Sequence, residues 1–275
     1  MATPSGSELH LGEYGLPEVH GDRLDAGILR TAILQHGALI VRGLVERDRA
    51  EGFAAGIDRA YASRSSVNGD GAYAPFLPSP PYTQTQLDEF RPWIEESGGL
   101  LAVDCPGLLA EMLDFFSEAR LKEIVDDYLG GPALISAHKT TLRKVEPGTR
   151  PGWHQDGAFM GKVRSLNLWL ALSRCGDEAP GMDVLPARLD EFVETGGEGT
   201  MVANQVSQAQ AEKAASTAGV GIVRPIFDPG DALIFDEMFL HATAADGEMT
   251  KPRYAIESWF FTPAALPPGY VPIAI

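Results

Sequence analysis

Gly152-Trp153-His154-Gln155-Asp156-Gly157 is the stretch on which the reading of this chain turns. Residues two apart on a β-strand point to one face, so an extended 152–156 segment aims the His154 imidazole and the Asp156 carboxylate at a common point. His241, much further on, can bring a second imidazole. Two histidines and one carboxylate suit a non-haem Fe(II) centre that keeps coordination positions open. A His-x-Asp tripeptide is weak evidence alone, so its weight depends on the surrounding sequence.

That surrounding sequence reads as strands, at 133–145, 152–156, 165–172, 221–227, 232–236 and 253–262. They are punctuated by the turn pairs Pro147-Gly148, Pro180-Gly181 and Pro229-Gly230. Many short strands between turns predict a sandwich or closed double sheet. In Leu166-Asn167-Leu168-Trp169-Leu170 the leucines alternate with Asn167 and Trp169, so one face is packed and the other looks into a partly polar cavity. His241 follows the buried run Ala232–Asp236 and so stands at the mouth of the sheets. Twelve residues later Arg253 opens a strand on which Ala255, Glu257 and Trp259 share its face.

The first half is helical. Asp22 is positioned to cap a helix ending at His36, where Gly37 stops it. Residues 38–42 read as a short buried strand and 48–62 as a second helix. Residues 63–92, rich in Ser, Gly and Pro, read as a long loop crossing the domain, either a lid or a surface wrap. Helices at 106–117 and 118–129 end at Gly130-Gly131-Pro132, and one more helix spans about 207–217. The expected organisation is one domain over 1–275, with a helical part of about 1–130 packed on a β core of about 131–262.

Composition sets the outer bounds. Of 275 residues 44% are apolar, which suits a globular chain, and the net charge of −16 argues against a nucleic-acid partner. Two cysteines, Cys105 and Cys175, lack metal-type spacing and are too few for a disulfide framework. The N-terminal residues do not have the basic and apolar regions of a signal peptide, and no run approaches a membrane span. A soluble, cytoplasmic protein without membrane partners is expected. Its oligomeric state, a homodimer included, is left open.

In order along the chain, His154-Gln155-Asp156, Trp169-Leu170-Ala171-Leu172, Ala179-Pro180-Gly181-Met182-Asp183-Val184-Leu185-Pro186, Pro229-Gly230-Asp231, His241 and Arg253 resemble the phytanoyl-CoA dioxygenase family of Fe(II)/2-oxoglutarate oxygenases. The resemblance covers 130–262, and more faintly the helix, Gly and strand opening at 24–44. Where that family continues Gly-Ser-His after its mid-chain Pro, this chain has Ala187-Arg188-Leu189. The resemblance implies a mainly β fold with helices, a double-stranded β-helix (jelly-roll, cupin-like) flanked by N-terminal helices. It implies Fe(II) held by His154, Asp156 and His241, with 2-oxoglutarate and O2 as co-substrates. Arg253 would grip the far carboxylate of the oxo-acid, with Lys139, Thr141 and Trp169 beside it. An arginine fork meets a carboxylate through two parallel bonds, as that role requires. Halogenating relatives lack the carboxylate ligand, so Asp156 favours hydroxylation.

Between 139 and 164 six basic residues (Lys139, Arg143, Lys144, Arg150, Lys162 and Arg164) face only Glu146 and Asp156. Positive potential beside a cleft concentrates anions. This predicts a small anionic substrate, a carboxylate such as an N-acyl amino acid, met by Arg143, Arg150, Phe159, Arg164 and Asn167. Two rival readings share the same shape: a metal-dependent isomerase or hydrolase that uses no O2, and a non-catalytic module that binds a small ligand.

Overall fold

A computed structural model describes residues 9–66, 70–75, 86–149, 152–161, 163–200, 202–244 and 246–275, without the side chains of 86–90. Its strands are β1 (Glu18–His20), β2 (Ala38–Arg42), β3 (Gly99–Leu101), β4 (Leu134–Val145), β5 (Leu166–Ala171), β6 (Gly181–Val184), β7 (Ala232–Asp236), β8 (His241–Ala244), β9 (Arg253–Phe261) and β10 (Pro272–Ala274). Its α-helices are α1 (Ala26–His36), α2 (Arg47–Arg64), α3 (Gln86–Glu96), α4 (Pro106–Glu118), α5 (Leu121–Leu129) and α6 (Gln208–Ala218).

Among the described residues eight strands form one sheet in the order β1-β2-β7-β5-β9-β4-β10, with β3 also paired to β4. A smaller sheet pairs β6 with β8. Isolated bridges widen it: His154 to His241, Trp153 to Val206, and Val184 to Val223. The two sheets form the jelly-roll core expected from the sequence. β1 and β2, from the helical half, belong to the large sheet, so the two halves share one hydrogen-bonded surface.

Alternation along β5 separates core from cavity. Leu166, Leu168 and Leu170 join Ile33, Phe53, Phe116 and Phe260 in the largest apolar cluster, under the helices. Asn167 and Trp169, pointing the other way, line the space between the sheets. Burying three leucines on one face is worth about 2 kcal/mol each, which fixes the register of this central strand.

Several boundaries differ from expectation for local reasons. The α1 cap is Asp25, whose carboxylate accepts from Ile28 N at 2.7 Å; Asp22 lies in a separate 3-10 turn at Gly21–Arg23. Gly37 does end α1, at φ 89°, and a Cβ there would meet the Ala187 carbonyl oxygen at 2.7 Å. Residues 221–227 make single bridges at Val223 and Phe227 in place of a strand. The proposed 63–92 loop ends early, in α3. Its stretches 67–69 and 76–85 lie outside the described residues. Arg91 anchors α3 through Nε and Nη2 to the Asp104 carboxylate, at 2.8 and 2.9 Å. Cys105 and Cys175 are buried and unlinked, and burial pushes both thiols up to about 12. No helix among the described residues is long and apolar enough to cross a membrane.

Candidate metal centre

His154, Asp156 and His241 converge, each offering one donor atom, with all three atoms within 4.8 Å of one another. The means differs from the strand pleat that the sequence suggests. Only Trp153 and His154 bridge as strand; Asp156 opens a 3-10 turn over Asp156–Ala158. Gln155 brackets the change of direction. Its Nε2 donates to the carbonyl oxygens of Met238 (2.7 Å) and Glu191 (3.3 Å), and its Oε1 accepts from Val193 N (2.7 Å). Gly157 N adds a bond to Glu237 O at 3.0 Å, tying the turn to the link between β7 and β8. His241, which follows the buried run Ala232–Asp236, is the first residue of β8.

Each imidazole is oriented by its far nitrogen. Nδ1 of His154 lies 2.8 Å from Gly152 O, and Nδ1 of His241 lies 3.0 Å from Phe239 O. A carbonyl only accepts, so both Nδ1 atoms carry the proton and both Nε2 lone pairs are free for a ligand. They point at the Asp156 carboxylate: its Oδ1 is 3.5 Å from His154 Nε2 and 4.0 Å from His241 Nε2. Burial holds His241 well below the ordinary imidazole range, helped by the neighbouring His154, so its ring stays neutral and able to ligate. Burial also raises the Asp156 carboxyl, to about 6, against the opposing pull of His154 and a hydrogen bond from Asn167.

The centre opens into a cavity of about 460 Å³ between the sheets. Arg253 lies in its wall, fully buried, with Nη1 donating to Gly181 O at 3.1 Å and the guanidinium 5.5 Å from the Trp169 ring. Its Nε has no hydrogen-bond partner among the described atoms, and burial lowers its pKa against the opposing field of Glu257. A buried cation with an unused donor is costly unless an anion arrives. Lys139 and Thr141 also line the cavity. The Lys139 ammonium lies over Trp259 (4.4 Å), Phe159 (4.7 Å) and Trp93 (5.8 Å), and burial pulls it down to about 7.

Of the described basic residues of 139–164, Lys139 and Arg143 line the cavity and Lys144 and Arg164 do not. Arg143 lines it but is committed: Nε donates to Glu257 Oε2 at 2.8 Å and Nη1 to Ser97 Oγ at 2.6 Å. Thr141 Oγ1 donates to the same Glu257 oxygen at 3.1 Å. Lys144 turns outward to Asp58 (2.9 Å), and Arg164 donates to Tyr128 O (2.9 Å), away from the cavity lining. Arg150 and Lys162 lie outside the described residues. Phe159 and Asn167 are in the wall as expected. Arg188, from the Ala187-Arg188-Leu189 departure, pairs with Asp236 at the end of β7. Glu257 lines the cavity on the face it shares with Arg253, and Trp93 and Thr243 line it without having been singled out. Thr243 was within reach of the sequence, since it lies two positions after His241 on one strand face.

The donor set fits Fe(II). Asp156 Oδ1 is a buried carboxylate oxygen without a hydrogen-bond partner, and two neutral Nε2 donors face it. Three nitrogen and oxygen ligands on one side, with cavity on the other, leave positions for an oxo-acid and O2. The sequence matches the model of the phytanoyl-CoA dioxygenase (PhyH) family over residues 33–247. Among solved structures the fold is similar to EctD from S. alaskensis with 2-oxoglutarate and 5-hydroxyectoine. That match has TM-score 0.58 and 15% identity, over 86% of this chain and 76% of that one. It is similar too to EvdO2 from Micromonospora carbonacea var. aurantiaca complexed with 2-oxoglutarate (TM-score 0.56, 16% identity, 90% and 92% of the two chains). A third is the epimerase SnoN in complex with Fe3+, alpha ketoglutarate and nogalamycin RO (TM-score 0.55, 14% identity, 86% and 83%). No curated protein matches the chain by sequence.

Proposed function

The chain belongs to the phytanoyl-CoA dioxygenase family of 2-oxoglutarate-dependent non-haem iron oxygenases, and from that premise we propose that it hydroxylates a C–H bond of a small molecule, releasing succinate and CO2. Membership sets aside the two rival readings, a non-redox metal enzyme and a passive binding module. The observation that carries the proposal is the buried Asp156 Oδ1 facing two Nε2 atoms, with the Arg253 guanidinium in the wall of the same cavity.

Iron with O2 and 2-oxoglutarate supplies the oxidation; the protein supplies position and dryness. His154, Asp156 and His241 would hold the metal. Arg253, stacked against Trp169, takes the far carboxylate of the oxo-acid, with Lys139 and Thr141 in the adjoining wall. The presence of Asp156 as a ligand favours hydroxylation over halogenation. Phe159, Trp259 and Trp93 give the cavity an aromatic side where a substrate body can lie.

An anionic substrate, such as an N-acyl amino acid, stays part of the proposal on narrower ground. Lys139 in the cavity wall supports it; Arg143, held by Glu257, and Arg164, turned to Tyr128, lend no support. The proposed working unit is one domain, since β1 and β2 of the first half build the same sheet as β5 and β9. Two buried, unlinked thiols support a reducing, cytoplasmic setting.

The test is a substrate screen that reads succinate formed per 2-oxoglutarate consumed, beginning with small carboxylates and their amides. A compound that raises succinate release and gains one oxygen by mass supports the proposal. Turnover with no oxygen incorporated into any product would remove hydroxylation. Amides that serve as well as acids would remove the anionic substrate.

A further inference from the structure

Asn167 sits in the middle of β5, in register with Phe235 of β7 on one side and Trp259 of β9 on the other. Its side chain is buried and lies in the cavity wall between two core leucines. Nδ2 is 3.0 Å from Asp156 Oδ2. An ionised carboxylate can only accept, so the amide must present its N–H2 and not its oxygen. The two oxygens of Asp156 are therefore unequal. Oδ2 is taken by Asn167, while Oδ1 is buried, unpartnered, and is the oxygen nearest both Nε2 atoms.

Packing alone does not explain an amide here. Asn167 Oδ1 is itself buried without a hydrogen-bond partner, an expense that a leucine of similar size would avoid. The amide accepts that cost and makes one side-chain bond, to the carboxylate. A free carboxylate beside a metal can bind through one oxygen or two; the Asn167 bond uses one lone pair of Oδ2 and holds the carboxylate with Oδ1 toward the two Nε2 atoms, so turning it into the two-oxygen mode works against that bond.

We propose that Asn167 is a positioning residue that restricts Asp156 to one-oxygen ligation, so that the position a second oxygen would fill stays open for the oxo-acid and O2. The inference rests on the metal-centre reading above, and its test separates the two. Co(II) serves as an air-stable spectroscopic stand-in for Fe(II), titrated into wild type, Asn167→Ala and Asn167→Leu, with His154→Ala as the ligand-loss control.

Wild type should bind Co(II) and His154→Ala should not. Both Asn167 variants should bind it with an affinity changed by more than twofold, because the carboxylate is no longer held in one orientation. Their visible Co(II) bands should also change in intensity, reporting a changed coordination number. A merely structural asparagine would instead lower the melting temperature and leave the spectrum alone. Asn167→Leu keeps the volume and covers the case in which the alanine variant does not fold. Co(II) affinity within twofold of wild type and an unchanged spectrum, in either folded variant, would overturn the proposal. Failure of wild type to bind Co(II) would overturn the metal centre and this inference with it.

Discussion

His154 and His241 face each other across an antiparallel bridge, each donating its backbone N–H to the other's carbonyl, at 2.9 and 3.1 Å. Their rings lie with centroids 4.3 Å apart. Two imidazoles from distant parts of the chain are thus placed by main-chain bonds, which do not depend on the side chains. His154→Ala or His241→Ala should each abolish metal binding while leaving far-UV circular dichroism unchanged. Metal analysis after desalting checks the first point; a large fall in helix and sheet signal would show that the rings also hold the sheet together.

Arg253→Lys should separate oxo-acid binding from metal binding. Lysine keeps the charge but loses the two-pronged geometry, and truncating one side of a buried charge pair costs about 2 kcal/mol or more. The KM for 2-oxoglutarate should rise by roughly 30-fold, with Co(II) affinity within a few-fold of wild type. Loss of Co(II) binding would mean that Arg253 supports the metal centre itself.

Leu168 lies between Asn167 and Trp169 but faces the opposite side of β5, in the core under the helices. Leu168→Ala should destabilise the fold by about 2–5 kcal/mol through the cavity it leaves. Urea denaturation gives the stability change, and Co(II) affinity measured well below the transition should stay near the wild-type value.

Acid should release the metal, with the Asp156 carboxyl titrating ahead of the His241 ring. His241 is held neutral to well below its ordinary range, so its protonation comes late. Asp156, raised to about 6 by burial, gains a proton before His241 does, and the metal must displace that proton to bind. Apparent Co(II) affinity should be level above about pH 7 and fall roughly tenfold per pH unit below about 6. A fall confined to pH values below 4.5 would mean that the Asp156 carboxyl is not raised.

Elements with a strict period were legible from sequence. Along β5 the leucines went to the core and Asn167 and Trp169 to the cavity; along β9 Arg253, Glu257 and Trp259 reached the cavity wall together. The His154–Asp156 pair was found by a rule that does not operate there. The strand gives way to a 3-10 turn at Asp156, held by three Gln155 side-chain bonds to distant backbone that no local pattern reveals. Charge counting alone does not say which basic side chains face the cavity: Lys139 and Arg143 line it, Lys144 and Arg164 do not. Whether Arg143 meets a ligand depends on Glu257 and Ser97, which the fold brings to it from far along the chain. Trp93 escaped notice because a proline-rich stretch precedes it and Pro92 lies within its helix.

One flank of the large sheet is sealed in two pieces. β3 covers Thr141–Arg143 of β4, while β10 covers Leu134–Ser136. Neither guard is longer than three residues, and they come from unrelated stretches of the chain. Loss of either one would bare a row of unpaired amides able to recruit a strand from a neighbouring molecule. Protection against self-association is therefore divided between two short guards.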